Sequence, residues 1–150
     1  MATVADMWGV DKKKIRGSCI NDPISNAATG FSVDFPLDIG RRLNGDLTEF
    51  CCREMPKFSP FAPIAYDLWE AGCNSVQQLG IILSSVSAYC QEVIDRGVPF
   101  EAVGSRVTIS IASSLDFFET VCKLRAARRM WAKIARERFG ATEDKNCRLR

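Results

Sequence analysis

The stretch Ser59–Gly72, SPFAPIAYDLWEAG, decides how the rest of this chain is read. Its first half, Pro60 to Ile64, reads as an apolar extended run broken by prolines. That segment delivers Tyr66 and Asp67 to the point where strand is expected to give way to loop. Asn74 or Ser75 then opens a helix. In parallel α/β proteins, side chains meet ligands at the C-terminal ends of the strands. Tyr66 and Asp67 are therefore the first candidates for a functional site.

On the C-terminal side, Val76, Leu79, Gly80, Leu83, Val86, Ser87, Cys90, Val93 and Ile94 keep a 3.6-residue period. A helix over Asn74–Arg96 follows, stopped by Gly97, with Arg96 suited to the negative end of the helix dipole. Arg106–Ala112, RVTISIA, is β-branched and alternating and predicts a strand. Ser113, Ser114 or Asp116 caps the last helix, Leu115–Phe139. There Phe117, Phe118, Val121, Leu124, Ala127, Trp131 and Ile134 form an apolar face. Lys123, Arg125, Arg128, Arg129, Lys133, Arg136 and Arg138 form a basic one. Gly140 ends the helix, and Ala141–Arg150 reads as a polar tail.

On the N-terminal side, Asp46 with Glu49 suggests a capping box for a helix that starts near Asp38 or Asp46 and reaches Met55, where Pro56 ends it. Ile15–Ile20 reads as a short strand stopped by Asn21-Asp22-Pro23. Ser25–Gly30 reads as a loop or a weak helical turn, Phe31–Phe35 as a brief strand, and Ala5–Val10 as an apolar turn before the solvated run Asp11–Lys14. Strands alternate with long helices, the signature of parallel βα units joined by right-handed crossovers. The expected class is α/β, with about three such units in a single domain over residues 1–150.

Composition narrows the function classes. The chain is 47% apolar and 25% charged with a net charge of +2, so bulk electrostatics make no case for nucleic acid. No apolar run is long enough for a membrane span, and the N-terminus MATVADMWGVDKKK lacks the apolar core of a secretory signal, so a cytoplasmic protein is expected. The seven cysteines contain no C-x-x-C and read as reduced, buried small hydrophobes, with no zinc-site spacing. There is no histidine, which removes Ser-His-Asp and Cys-His catalysis and any histidine ligand to a metal or to cobalt. Phosphate loops of the G-x-G-x-x-G or G-x-x-x-x-G-K-[ST] type are absent.

The candidate residues each carry two readings. Tyr66 and Asp67 suit a hydrogen-bonding acid and base, since burial can raise an aspartate toward neutrality; equally, Asp67 can cap the turn Asp67-Leu68-Trp69-Glu70. Arg106 offers a planar fork to an anionic ligand, or is an ordinary surface arginine. The basic face of the last helix reads as solvated surface or a subunit contact, because Asp116, Glu119 and Glu137 share the helix.

Three stretches together carry a resemblance: VADMWGVDKKKIRGSCIND (residues 4–22), MPKFSPFAPIAYDLWEAG (55–72) and LDFFETVCKLRAARRMWAKIARERFG (115–140). They resemble the adenosylcobalamin-dependent acyl-CoA mutases, methylmalonyl-CoA mutase and its relatives, from about Ala5 to Arg150. The resemblance implies a partial (β/α)₈-type barrel, the central part of a substrate domain that threads the CoA arm through its middle; a whole barrel needs ~250 residues. It implies Tyr66 and Asp67 in catalytic positions, and Arg106, Ser18, Asn21 and Ser110 in substrate-binding positions. Its ligand is a CoA or phosphopantetheine thioester, and adenosylcobalamin enters only through a separate domain or partner.

This chain departs from the family pattern at chemically important places. Asp67 stands where the family has a histidine after the strand tyrosine, Ile20 where it has a glutamine before Asn21 and Asp22, and Gly30 where it has an arginine for a substrate carboxylate. Thr108, Ile109, Ser110 and Ile111 replace expected phenylalanines. An aspartate cannot donate to a thioester carbonyl unless protonated, and its charge opposes an oxyanion. Three functional expectations follow from this pattern. The first is a radical-inactive, acyl-thioester-facing binding or assembly module that pairs with itself, with another barrel or cobalamin-binding chain, or with an acyl-carrier protein. The second is a non-radical thioester isomerase, dehydratase or epimerase that uses Asp67 and Tyr66. The third is one piece of a split or truncated mutase-type isomerase.

Overall fold

Pro60 and Pro63 lack the amide hydrogens that a ladder needs, and the sheet is short for that reason. The computed structural model describes residues 1–30 and 35–150. Strand β1, Gly17–Ser18, pairs in parallel with β2, Phe58–Ser59. Beyond the prolines the second segment reaches Ile64, which bridges in parallel to Ser110. The third segment pairs on its other side with the last residue: Arg150 N donates to Val107 O (3.2 Å) and Ile109 N to Arg150 O (2.9 Å). Four parallel segments thus lie side by side in chain order, the arrangement of consecutive barrel strands. The architecture is mostly helical with a small parallel sheet, consistent with the expected partial α/β barrel.

The helices are α1 (Ala2–Met7), α2 (Pro23–Thr29), α3 (Leu37–Glu54), α4 (Ala65–Glu70), α5 (Ser75–Asp95), α6 (Glu101–Gly104) and α7 (Phe117–Glu137), with 3₁₀ turns at Lys12–Lys14 and Asp144–Cys147. Helix α5 begins as its sequence predicts, with a complete capping box between Asn74 and Gln77. Gly97, at φ 81°, turns the chain away after it. The main core lies between the strand layer and helices α5 and α7, where Phe61, Tyr89, Phe100, Val107 and Trp131 are buried together. Phe61 packs on Tyr89 with ring centroids 5.4 Å apart, and Phe139 stacks on Phe100 at 4.9 Å.

Several expectations are corrected. Asn21-Asp22-Pro23 ends the first segment as expected but also starts a helix: the Asp22 side chain caps α2 and Pro23 occupies its first turn, where its missing N–H costs nothing. Helix α3 begins at Leu37, so Asp46 lies mid-helix and caps nothing; its carboxylate instead accepts from Arg96 at 2.5 Å. The first half of Ala5–Val10 is the end of α1 and the turn follows it, with Trp8 exposed. Arg106–Ala112 is an extended segment with one bridge rather than a regular strand, entered through the unforeseen α6. Along α7 the buried stripe is Lys123, Ala127, Trp131 and Ala135. Phe117, Phe118 and Val121, expected in the apolar face, are exposed. Lys123, expected in solvent, is buried with Nζ donating to Gln78 Oε1 at 3.3 Å.

The supposed polar tail buries Ala141, Asn146 and Cys147 and ends as the fourth parallel segment. All seven cysteines are free thiols; Cys51, Cys90 and Cys147 are buried, whereas Cys122 is exposed. The brief strand expected at Phe31–Phe35 falls largely on residues 31–34, outside the described residues.

Candidate functional site

Tyr66 and Asp67 do not sit where a strand gives way to loop; they occupy the first turn of α4. Ile64 is still extended (φ −111°, ψ 108°), and the helix begins at the next residue. Ala65 and Leu68 are buried against Ile82 of α5 and anchor this short helix. The helical period then turns Tyr66 and Trp69 outward on a shared face, 49% and 41% exposed, with ring centroids 6.0 Å apart. Glu70, one turn from Tyr66, raises the phenol above its ordinary value of 10.0, with Asp67 adding a smaller push in the same direction. Tyr66 presents a phenol O–H at this surface, beside the Asp67 side chain.

Two neighbouring segments converge on this turn. Ser110 brackets it through the backbone, its N–H donating to Pro63 O (2.8 Å) and its carbonyl accepting from Ala65 N (2.7 Å). From the first segment, Asp22 Oδ2 accepts from Ile64 N at 3.1 Å. Asn21 is adjacent, and its carbonyl accepts from Asn44 Nδ2 at 2.9 Å, which ties it to α3. Asn21, Ser110, Tyr66 and Asp67 thus gather at the C-terminal end of the parallel segments. Ser18 sits lower, in β1, exposed and paired in register with Ser59. Ile20 is 69% exposed beside Asn21, and Gly30 closes α2 with φ 73°.

Arg106 is not part of this group. It stands at the opposite end of the third segment and is 6% exposed. Its Nη1 donates to Phe58 O at 2.9 Å and to Cys51 O and Met55 O at 3.4 Å, while Nη2 donates to Cys52 Sγ at 2.8 Å and to Ala102 O. Neither the exposed arginine nor the open fork described from sequence is found; the guanidinium ties β2, α3 and α6 together through their carbonyls.

Sequence reasoning singled out Asn21 but not its neighbour Asp22, which makes more of the contacts at this end. Asp22 is 2% exposed. Its Oδ1 accepts from Ser25 N (3.2 Å) and from the Tyr89 hydroxyl (2.6 Å), and Tyr89 in turn accepts from Ile24 N (3.0 Å). Burial, reinforced by the Asp22 carboxylate, drives the Tyr89 phenol far above its ordinary range, so it is a permanent donor. The Asp-Pro pair, a cap followed by a residue suited to a first helical turn, was the available signal. Thr108 was also underrated: Ser59 Oγ donates to Arg106 O at 2.7 Å and lies 3.4 Å from Thr108 Oγ1, a polar contact between the second and third segments.

The chemistry available at the strand ends is hydrogen bonding by a phenol, a carboxylate, an amide side chain and a serine hydroxyl. The imidazole that would donate a proton here is absent, because the chain has no histidine. A cavity of about 140 Å³ lies elsewhere, between the third segment, α7 and the end of the chain, lined by Ile109, Ile111, Leu124, Ala127, Leu149 and the arginines beside them. Among the described residues, no helix is long and apolar enough to cross a membrane.

The methylmalonyl-CoA mutase family model matches residues 1–150, the whole chain. Among curated proteins, the chain is 30% identical over 146 residues to a probable mitochondrial methylmalonyl-CoA mutase of Caenorhabditis elegans, covering 97% of this chain and 20% of that protein. It is 30% identical over 142 residues to the 2-hydroxyisobutanoyl-CoA mutase large subunit of Aquincola tertiaricarbonis, covering 95% of this chain and 25% of the relative. It is 31% identical over 146 residues to the ethylmalonyl-CoA mutase of Methylorubrum extorquens, covering 95% and 21%. The chain therefore spans about a fifth to a quarter of the length of these relatives. With parallel segments in chain order and a match along its full length, the chain belongs to the methylmalonyl-CoA mutase family.

Proposed function

We propose that this chain supplies the central βα units of a mutase-type substrate barrel and serves as an acyl-thioester-binding or assembly module, without carrying out radical isomerisation by itself. The observation that supports this most is the gathering of Tyr66, Asp67, Asn21 and Ser110 at one end of consecutive parallel segments. The relatives are named as CoA mutases, which makes an acyl-CoA or a phosphopantetheine-borne acyl thioester the ligand class. Tyr66 would donate to the thioester carbonyl. Asp67 disfavours an oxyanion at that position, which argues for binding rather than for the family's chemistry. Adenosylcobalamin does not fit the residues of this chain, which has no imidazole to ligate cobalt; the cofactor would be held by another domain or partner.

Two further readings rest on separate observations. The Tyr66 donor beside a carboxylate suits proton transfer at the α carbon of a thioester, with Asp67 as base and Tyr66 holding the enolate oxygen. The limited coverage of the relatives, one of them named as a large subunit, suits one piece of a divided isomerase. The module reading is tested by titrating the protein with acetyl-CoA and with free CoA in a calorimeter. It expects acetyl-CoA to bind more tightly than free CoA and Tyr66→Phe to remove the difference. Equal affinities in the unaltered protein would sink it. The proton-transfer reading is tested by deuterium exchange into the acyl group of acetyl-CoA, which Asp67→Asn must abolish.

A further inference from the structure

Asp22 lies at a gap in the sheet. The backbone ladder between the first and second segments ends where Cys19 N donates to Ser59 O (3.2 Å). Pro60 and Pro63 then offer no N–H, and the first segment leaves the sheet at Pro23 to become α2. At the junction with α4, no backbone carbonyl of the first segment takes Ile64 N; Asp22 Oδ2 does, at 3.1 Å. We infer that Asp22 is the positioning residue of the candidate site, its carboxylate replacing the missing backbone rung and thereby fixing the first turn of α4 with Tyr66 and Asp67.

The carboxylate suits this role because both oxygens are used. Oδ1 is held by Ser25 N at the start of α2 and by the Tyr89 hydroxyl of α5, which leaves Oδ2 aimed at Ile64. The group is buried, so these contacts are made without competition from solvent. On the other side of the turn, Ala65 N is bound to Ser110 O. The first turn of α4 is thus clamped between Asp22 and the third segment, and only the Asp22 side of the clamp is a side chain. Tyr66 lies two residues beyond the clamped amide, so a shift there re-aims the phenol. The inference rests on the proposed thioester-binding surface for its functional meaning; its structural content stands without it.

The test uses the whole chain with Asp22→Asn and Asp22→Ser, and Tyr89→Phe as the control. Serine still caps α2 but is too short to reach Ile64, so it separates the cap from the clamp and serves if the asparagine variant fails to fold. Tyr89→Phe removes a partner of Asp22 but leaves the Asp22–Ile64 contact. Residue-resolved amide exchange is read at Ile64, with Ala65 as internal reference. The expected result is at least tenfold faster exchange at Ile64 relative to Ala65 in both Asp22 variants and no such change in Tyr89→Phe. Calorimetry with acetyl-CoA should show affinity lowered tenfold or more in the Asp22 variants and within twofold of the unaltered protein in Tyr89→Phe. Unchanged relative exchange at Ile64 in a folded Asp22 variant overturns the inference, as does an equal loss of affinity in all three variants. If the unaltered protein fails to bind acetyl-CoA, the thioester reading falls, while the exchange at Ile64 still decides the clamp.

Discussion

The α5–α7 layer and the surface at the strand ends contrast within one small chain. Between the helices, Trp131, Phe100, Tyr89 and Val86 are each no more than 4% exposed, and the contacts are aromatic and aliphatic. At the strand ends, Tyr66 and Trp69 project outward from a turn seated on Ala65, Leu68 and Ile82, and a polar lattice of Asp22, Tyr89 and backbone amides holds its start. The first region gains its stability from area removed from water; the second adds to a small apolar anchor a few directed hydrogen bonds centred on Asp22. The difference teaches where function has room. A closed apolar layer tolerates no ligand, whereas a surface pinned from below can present side chains without burying them.

The contrast is broken most severely from the helical side. Trp131→Ala removes the largest fully buried side chain, packed 6.3 Å from Phe100 and 6.4 Å from Phe139 between ring centroids. It should cost roughly 3–5 kcal/mol in a urea titration, enough to unfold a marginal domain. Asp22→Ala attacks the polar lattice and orphans three donors; about 2–4 kcal/mol is expected from the same measurement, more than a surface aspartate would give. A loss under 1 kcal/mol would show that the lattice is not what holds the strand ends.

A pH series sharpens the comparison, because burial raises the thiols of the core. Cys51, 1% exposed, is pushed from 9.0 to about 11, chiefly by desolvation. A raised thiol favours the neutral form in the folded state, so its contribution is fully present below pH 9 and is lost as pH rises toward 11. Stability should therefore decline above pH 9, by roughly 2 kcal/mol from this thiol at the upper end, and decline less steeply in Cys51→Ala. The buried thiol of Cys90 and the phenol of Tyr89 act in the same direction.

Gly45→Ala is a smaller perturbation. A Cβ there would stand 2.5 Å from Arg96 Cζ, displacing the guanidinium that links α5 to Asp46 and to Arg42 O. About 1 kcal/mol is expected, since the obstructing group is the end of a flexible side chain. Tyr66→Phe and Asp67→Asn should change stability least, within about 0.5 kcal/mol, because Tyr66 is exposed and Asp67 is only partly buried. A larger effect would move Tyr66 and Asp67 from presented groups to structural ones.

Much of this was legible in the residues. The start expected at Asn74 or Ser75 and the apolar period behind it locate α5 closely, because a long amphipathic helix repeats its signal every turn. The buried extended run at Pro60–Ile64 was also readable, since prolines and apolar side chains exclude a helix there. The strand ends were harder to read. Asn21-Asp22-Pro23 looks like a stop; its Asp-Pro pair is also a local helix-start signal, but only tertiary packing makes Asp22 reach the second segment. Arg106 looked exposed because nothing local shows that carbonyls of β2, α3 and α6 surround it.

The sequence by itself determined the family, the alternation of parallel segments with long helices, and the set of side chains available at the candidate site. Each follows from local pattern or residue identity, including the absence of histidine. Tertiary structure alone decided that α4 starts at Ala65, that Arg106 turns inward, that Lys123 is buried, and that a carboxylate bridges the gap the prolines leave. Those outcomes depend on partners 40 or more residues apart along the chain, as with Asp22 and Ile64, and local spacing carries no record of which distant amide a buried carboxylate will meet.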